Sequence, residues 1–148
     1  MAIYKHVVCA IDLSRYRETV CARSIELAKL FNAQLTLLHV VENFPEDRSN
    51  EIIAPEHIDP ATYRKNIAQN ELTALCERLQ YTNAKHEILF SMHSAWHEII
   101  RFTRDNNADL VVIGSHGSYG ITPLLGSTAN GVINHAPCDV LAVRSQTQ

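Results

Sequence analysis

An open parallel α/β sheet is the fold this sequence predicts, and three observations predict it. Five short apolar runs rich in Val, Ile and Leu recur along the chain. Segments of helical period separate them, so the order reads β-α-β-α-β-α-β-α-β. The runs are nearly continuous in apolar character rather than alternating, which suits strands covered by helices on both faces.

The strands are expected at residues 6–12 (HVVCAID), 34–41 (QLTLLHVV), 86–91 (HEILFS), 109–114 (DLVVIG) and 139–144 (DVLAVR). Between the first two, Val20, Ser24, Leu27, Ala28 and Phe31 fall on one helical face. Asp59-Pro60 has the form of an N-cap followed by proline at the first helical position. Behind it, Leu72, Leu75, Cys76 and Leu79 repeat the same spacing. Ser94 is placed to cap a third helix with Trp96, Ile99, Ile100 and Thr103 inward. Ser127 is placed to cap a fourth with Ala129, Val132, Ile133 and Ala136 inward, and Pro137 ends it. Right-handed crossovers then wind the chain into one domain over residues 1–148. Residues 42–58, from Glu42 to Ile58, form a polar, proline-bearing connection too long for a simple turn, which reads as a lid, a binding loop or local disorder.

The composition excludes several classes. Hydrophobic residues make up 46% and charged residues 20%, the balance of a globular chain rather than a disordered one. A formal net charge of −3 gives no broad basic surface for nucleic acid. No apolar run approaches a membrane span, and MAIYKHVV lacks the form of a secretory signal. The expected location is therefore cytoplasmic. Cys9, Cys21, Cys76 and Cys138 are scattered without a zinc-like spacing and read as reduced, mostly buried thiols.

Open parallel sheets bind ligands beyond the carboxyl ends of their strands, where the winding reverses. Asp12, Val40 and Val41, and Gly114 sit at such ends. The stretch VVIGSHGSYGITPLLGSTANGVI has the parts of an anion site. Gly114 and Gly117 remove side chains and permit positive φ, while Gly126-Ser127-Thr128 opens a helix whose first N–H groups lack partners. A phosphate there would accept those N–H bonds and the Ser127 and Thr128 hydroxyls, with His116 as a further donor. The same residues also read as turn punctuation and a helix cap, and both familiar phosphate motifs, GxxxxGK[ST] and GxGxxG, are missing. Asp12 reads either as a cap for the next helix, near Ser14, or as a ribose or adenine contact. His93 and His97 stand at i, i+4, but without HExxH they read as exposed residues at a helix start rather than metal ligands. His39 reads as a satisfied interior or sheet-edge histidine. No catalytic constellation is recognisable, so an enzyme is not expected.

From YKHVVCAIDLS to DVLAVR, with GSHG and GSTANGVINHAPCDVLAVR its most specific parts, the chain resembles the universal stress protein family. The resemblance implies a Rossmann-like, five-stranded parallel sheet in the order 3-2-1-4-5 with four helices. It also implies a cytoplasmic homodimer that binds ATP or AMP, with magnesium possible beside ATP, and acts as a stress-response sensor or regulator. A nucleotide-free scaffold of the same family is the alternative, and slow ATP hydrolysis would have only Asp12 as a metal-side carboxylate. By position, Ala10, Ile11 and Asp12 would meet adenine and ribose, and Val40 would offer backbone groups to the adenine edge. Ile113, Gly114, Ser115, His116 and Gly117 would hold ribose or the first phosphate, and Gly126, Ser127, Thr128 and Ala129 the phosphates. Nucleotide-binding members carry Gly-x2-Gly-x9-Gly-[Ser/Thr]; here eight residues, Ser118 to Leu125, stand where the pattern has nine. Dimerisation would run through the last strand, Asp139 to Arg144, antiparallel across a two-fold axis.

Overall fold

The computed structural model describes residues 3–42, 55–115 and 125–144. Strands β1 (His6–Ala10), β2 (Gln34–Glu42), β3 (Ala84–Ser91), β4 (Leu110–Gly114) and β5 (Asp139–Val143) form a parallel sheet in the order β3-β2-β1-β4-β5. Helices α1 (Arg17–Phe31), α2 (Pro60–Arg78), α3 (Ala95–Asp105) and α4 (Ser127–His135) alternate with them. Class and alternation are those the sequence predicts, and the strand order is the one the resemblance implies.

The period of two along β1 divides the core. Val7, Cys9 and Ile11 face Leu35, Leu37 and Val112 under Val20, Ile25 and Ala28 of α1 and Leu72 and Leu75 of α2. Val8 and Ala10 face the other way, with Leu38, Val111 and Ile113 under Ile99 and Ile100 of α3 and Ala129 and Val132 of α4. Each fully buried Leu or Val contributes about 1.5–3 kcal/mol relative to exposure, so these two layers dominate the stability. Salt bridges Arg17–Glu71 and Arg78–Glu18 join α1 to α2 across partly exposed positions, where such pairs contribute little. The four cysteines are free; burial pushes the Cys21 thiol up to about 12 and raises Cys9 as well.

Local chemistry sets the helix ends. Asp59 Oδ2 accepts the Thr62 N–H at 3.0 Å, with Pro60 as the first helical residue, as expected. Ser94 occupies the N-cap of α3, but its Oγ contacts His97 Nδ1 at 2.7 Å instead of a backbone N–H. The Ala95 N–H is taken by Glu42, from the end of β2.

Four expectations are corrected. β1 stops at Ala10, so Ile11 and Asp12 lie in the turn that follows it. β3 begins at Ala84, two residues early, because it is an edge strand whose exposed Lys85 and Glu87 break the apolar run. Gly126, not Ser127, is the N-cap of α4, and Ser127 is its first helical residue. Ile133 is 45% exposed rather than inward. Trp96 lies against Gly131, where an added Cβ would come within 2.3 Å of its Cγ. That close approach turns the Ala129–Val132 edge of α4 towards α3 and leaves the next position to solvent.

Candidate functional site at the strand ends

Helices α1 and α2 cover one face of the sheet and α3 and α4 the other, so the winding reverses between β1 and β4. Ala10 pairs with both Leu38 and Ile113. Asp12 follows the end of β1 by two residues and Ser115 follows β4 by one, so both lie beyond the carboxyl ends of neighbouring strands, with Val40 near the end of β2. Three stretches far apart in sequence therefore meet at the place where an open parallel sheet binds ligands.

Their side chains take different roles. Ala10, Ile11, Ile113 and Ala129 are buried in the two core layers, so only their backbone groups border the edge. Asp12 is exposed, and its Oδ1 accepts the Ser14 N–H at 3.3 Å. Ser14 Oγ in turn accepts the Tyr16 N–H at 3.2 Å, and Tyr16 is the N-cap of α1. Asp12 thus shapes the turn before α1 without capping the helix, which leaves its carboxylate at the surface of the edge.

Ser115 is tied on both sides. Its N–H donates to Val143 O at 2.9 Å, and its carbonyl accepts the Gly126 N–H at 2.8 Å. The second bond closes the neck of the glycine loop and brings the start of α4 against the end of β4. Ser115 Oγ is buried and has no hydrogen-bond partner among the described residues. A buried hydroxyl left in that state costs about 1–3 kcal/mol.

At α4, Gly126 O accepts the Asn130 N–H at 2.9 Å, the first bond of the helix. The N–H groups of Ser127, Thr128 and Ala129 then have no intrahelical acceptor, and Gly126 has no side chain to cap them. Ser127 is exposed and Thr128 half-buried. Among the described residues no glycine has positive φ, so Gly114, the last residue of β4, is not there for a left-handed turn. That corrects the expectation for Gly114. His116, Gly117 and the span 43–54 of the long connection lie outside the described residues.

His39 lies on β2 between β3 and β1, an interior strand position. Its Nδ1 is 2.7 Å from Ile11 O, and because a carbonyl can only accept, Nδ1 carries the proton. Burial holds the ring below the usual histidine range, against the opposing pull of this bond and of Asp12. His93 and His97 rings are 6.2 Å apart. His97 stacks on Trp96 at 3.6 Å and His135 stacks on the same indole at 4.5 Å. Among the described residues no group of three or more His, Cys, Asp or Glu is arranged to hold a metal ion. No described helix is long and apolar enough to cross a membrane.

The universal stress protein family model matches residues 3–144. The chain belongs to the universal stress protein family. It is 36% identical over 140 residues to universal stress protein A homolog 1 of Coxiella burnetii, covering 95% of this chain and 96% of that one. A universal stress protein crystallised in complex with cAMP superposes with a TM-score of 0.70 at 20% identity, covering 97% of this chain and 98% of that chain. The universal stress protein from Archaeoglobus fulgidus in complex with dAMP gives 0.65 at 21% identity, covering 95% and 98%. At those identities the superpositions carry the fold alone.

In this universal stress protein the sequence-predicted site residues divide cleanly. Asp12, Val40, Gly114, Ser115, Gly126, Ser127 and Thr128 meet at one edge, while Ala10, Ile11, Ile113 and Ala129 support it from the core. Two features escaped the sequence reading. The His39–Ile11 bond crosses strands, and the Glu42–Ala95 contact joins β2 to α3. A histidine in an apolar strand run was the only local signal for the first; the second had none.

Proposed function

We propose that this universal stress protein binds an adenine nucleotide at the β1–β4 edge and works as a sensor or regulator, not as a catalyst. The observation that carries the reading is Ser115 Oγ, buried and without a partner among the described residues, beside the open N–H groups of α4. A phosphate oxygen would satisfy both at once, because a helix N-terminus favours negative charge. Asp12 is suited to a ribose hydroxyl, and Val40 to the adenine edge through its backbone. His116 and Gly117 belong to the same proposal by their place in the sequence. The cAMP and dAMP complexes of other family members add support for an adenine ligand.

A single phosphate is favoured over three. No Lys or Arg occurs between Asp105 and Val143, so the loop and α4 bring backbone donors but no cationic side chain to a polyphosphate. ATP would depend on magnesium, with Asp12 the carboxylate at this edge available to it. Turnover would also require an oriented water. The protein would act in the cytoplasm as a homodimer joined through β5, whose outer edge is otherwise an open template for pairing.

Isothermal titration with AMP, ATP with magnesium, and GMP tests the reading. Saturable heat with AMP and weaker or no response to GMP is expected. No heat with any adenine nucleotide at millimolar concentration would overturn it.

A further inference from the structure

His39 is unused by that proposal, yet it acts where the proposal needs a free backbone. In a parallel ladder, Ile11 pairs with β2 by donating to Leu38 O and accepting from the Val40 N–H. The first bond is made, at 2.8 Å. The carbonyl is instead met by the His39 side chain, whose Nδ1–H donates to Ile11 O at 2.7 Å. The β1–β2 pairing ends at Ala10, and among the described residues no bond joins the Val40 N–H to the Ile11 carbonyl.

We infer that His39 is a positioning residue that releases the Val40 N–H from the sheet so that it can read the edge of an adenine base. Backbone N–H and C=O of one strand residue point to the same side. Those of Leu38 point to β1, so those of Val40 do too, at the level where β1 has ended and turned at Asp12. A donor and an acceptor side by side match the ring nitrogen and exocyclic amine of adenine. They mismatch guanine, which presents a carbonyl and a ring N–H there. The same bond holds the Ile11 peptide, which leads directly into Asp12. His39 therefore sets both the base-reading backbone and the start of the turn that carries the carboxylate, without touching the ligand.

This inference rests on the adenine-nucleotide reading, and two measurements separate the fates of the two. Amide hydrogen exchange of the unliganded protein should show Val40 exchanging much faster than Leu38. In His39→Leu the freed Ile11 carbonyl should capture the Val40 N–H and slow its exchange towards that of Leu38. His39→Asn, which keeps an N–H donor near the Nδ1 position, should leave Val40 fast. Titration with AMP should then show about a tenfold loss in His39→Leu and near-native affinity in His39→Asn, with ribose 5-phosphate bound equally by all three. Equal protection of Val40 and Leu38 in the native protein, or native AMP affinity in His39→Leu, overturns the role of His39. Fast Val40 exchange in a native protein that binds no adenine nucleotide sinks the ligand and the base-reading role with it, while leaving the released N–H established.

Discussion

The Gly126 N–H donates to the Ser115 carbonyl at 2.8 Å, across the neck of a ten-residue loop whose two ends would otherwise be independent. The bond ties the start of α4 directly to the end of β4.

Gly126→Pro tests that anchor. Gly126 has φ −63°, which proline adopts without strain, so the substitution removes the donor while sparing the backbone angle. We expect a loss of about 1 kcal/mol, roughly a 3 °C fall in Tm, with weaker AMP binding. Gly126→Ser keeps the N–H at an N-cap position that favours Ser, and should change stability by only a few tenths of a kcal/mol. Thermal melts of both variants check the contrast.

Ser115→Ala should move two quantities in opposite directions. Without ligand, removing a buried hydroxyl that has no hydrogen-bond partner among the described residues should raise stability by up to about 1–2 kcal/mol. With saturating AMP the native protein should gain more than the variant, since only the native hydroxyl finds an acceptor. Melts with and without AMP read both signs; a variant destabilised in the absence of ligand would show that Oγ has a structural partner.

Gly131→Ala would ordinarily favour a helix by nearly 1 kcal/mol. Here the new Cβ would lie 2.3 Å from Trp96 Cγ and 2.5 Å from its Cδ1, near the base of the indole rather than at a flexible tip. We expect a net loss of about 1–3 kcal/mol. Combining it with Trp96→Leu should recover part of that loss, a non-additivity that denaturant titration of the four proteins would expose.

Acidification should destabilise the fold from about pH 6.5 downwards. His39 and His86 are both held below the ordinary histidine value, burial being the first cause in each. The unfolded chain therefore takes up protons first as pH falls, and stability drops until the lowered folded values are passed. Glu42 acts oppositely: burial raises it above 4.5, so the folded state protonates first and recovers some stability nearer that value. His39→Asn should flatten the upper part of this profile, measured by urea midpoints between pH 8 and 5.

The homodimer proposed through β5 predicts that Ala142→Pro is a monomer. Val143 O accepts from Ser115 N, so the backbone groups of Val143 face β4 and those of Ala142 face outwards. Proline is tolerated at such an outward edge position but cannot donate to a partner strand. Light scattering should show the halved mass, and AMP binding should persist because the strand-end site lies elsewhere.

Much of this protein was determined by local rules that sequence expresses directly. Asp59-Pro60 announced α2 because a cap and a fixed φ act within four residues. The strands showed themselves because both faces of Leu35–Leu38 are buried, which leaves Thr36 the one polar residue in the run. The boundaries that misled did so for a physical reason. Ile11 is apolar and buried like a strand residue, but its carbonyl is met by a side chain from the next strand.

What only the tertiary structure decided lies in contacts between distant segments. Asp12, Val40 and Ser115 come to the same carboxyl edge because of strand order, a property of pairing and not of any one strand. Ser127 was displaced from the cap because Gly126 is held by Ser115, and Ile133 was turned outwards by Trp96 against Gly131. His39 is one apolar-run histidine in sequence; in the fold, it donates a hydrogen bond to Ile11 where β1 has ended. Period, propensity and capping act over a few residues and can be read along the chain. Register, unpartnered hydroxyls and close helix approaches exist only when the segments meet.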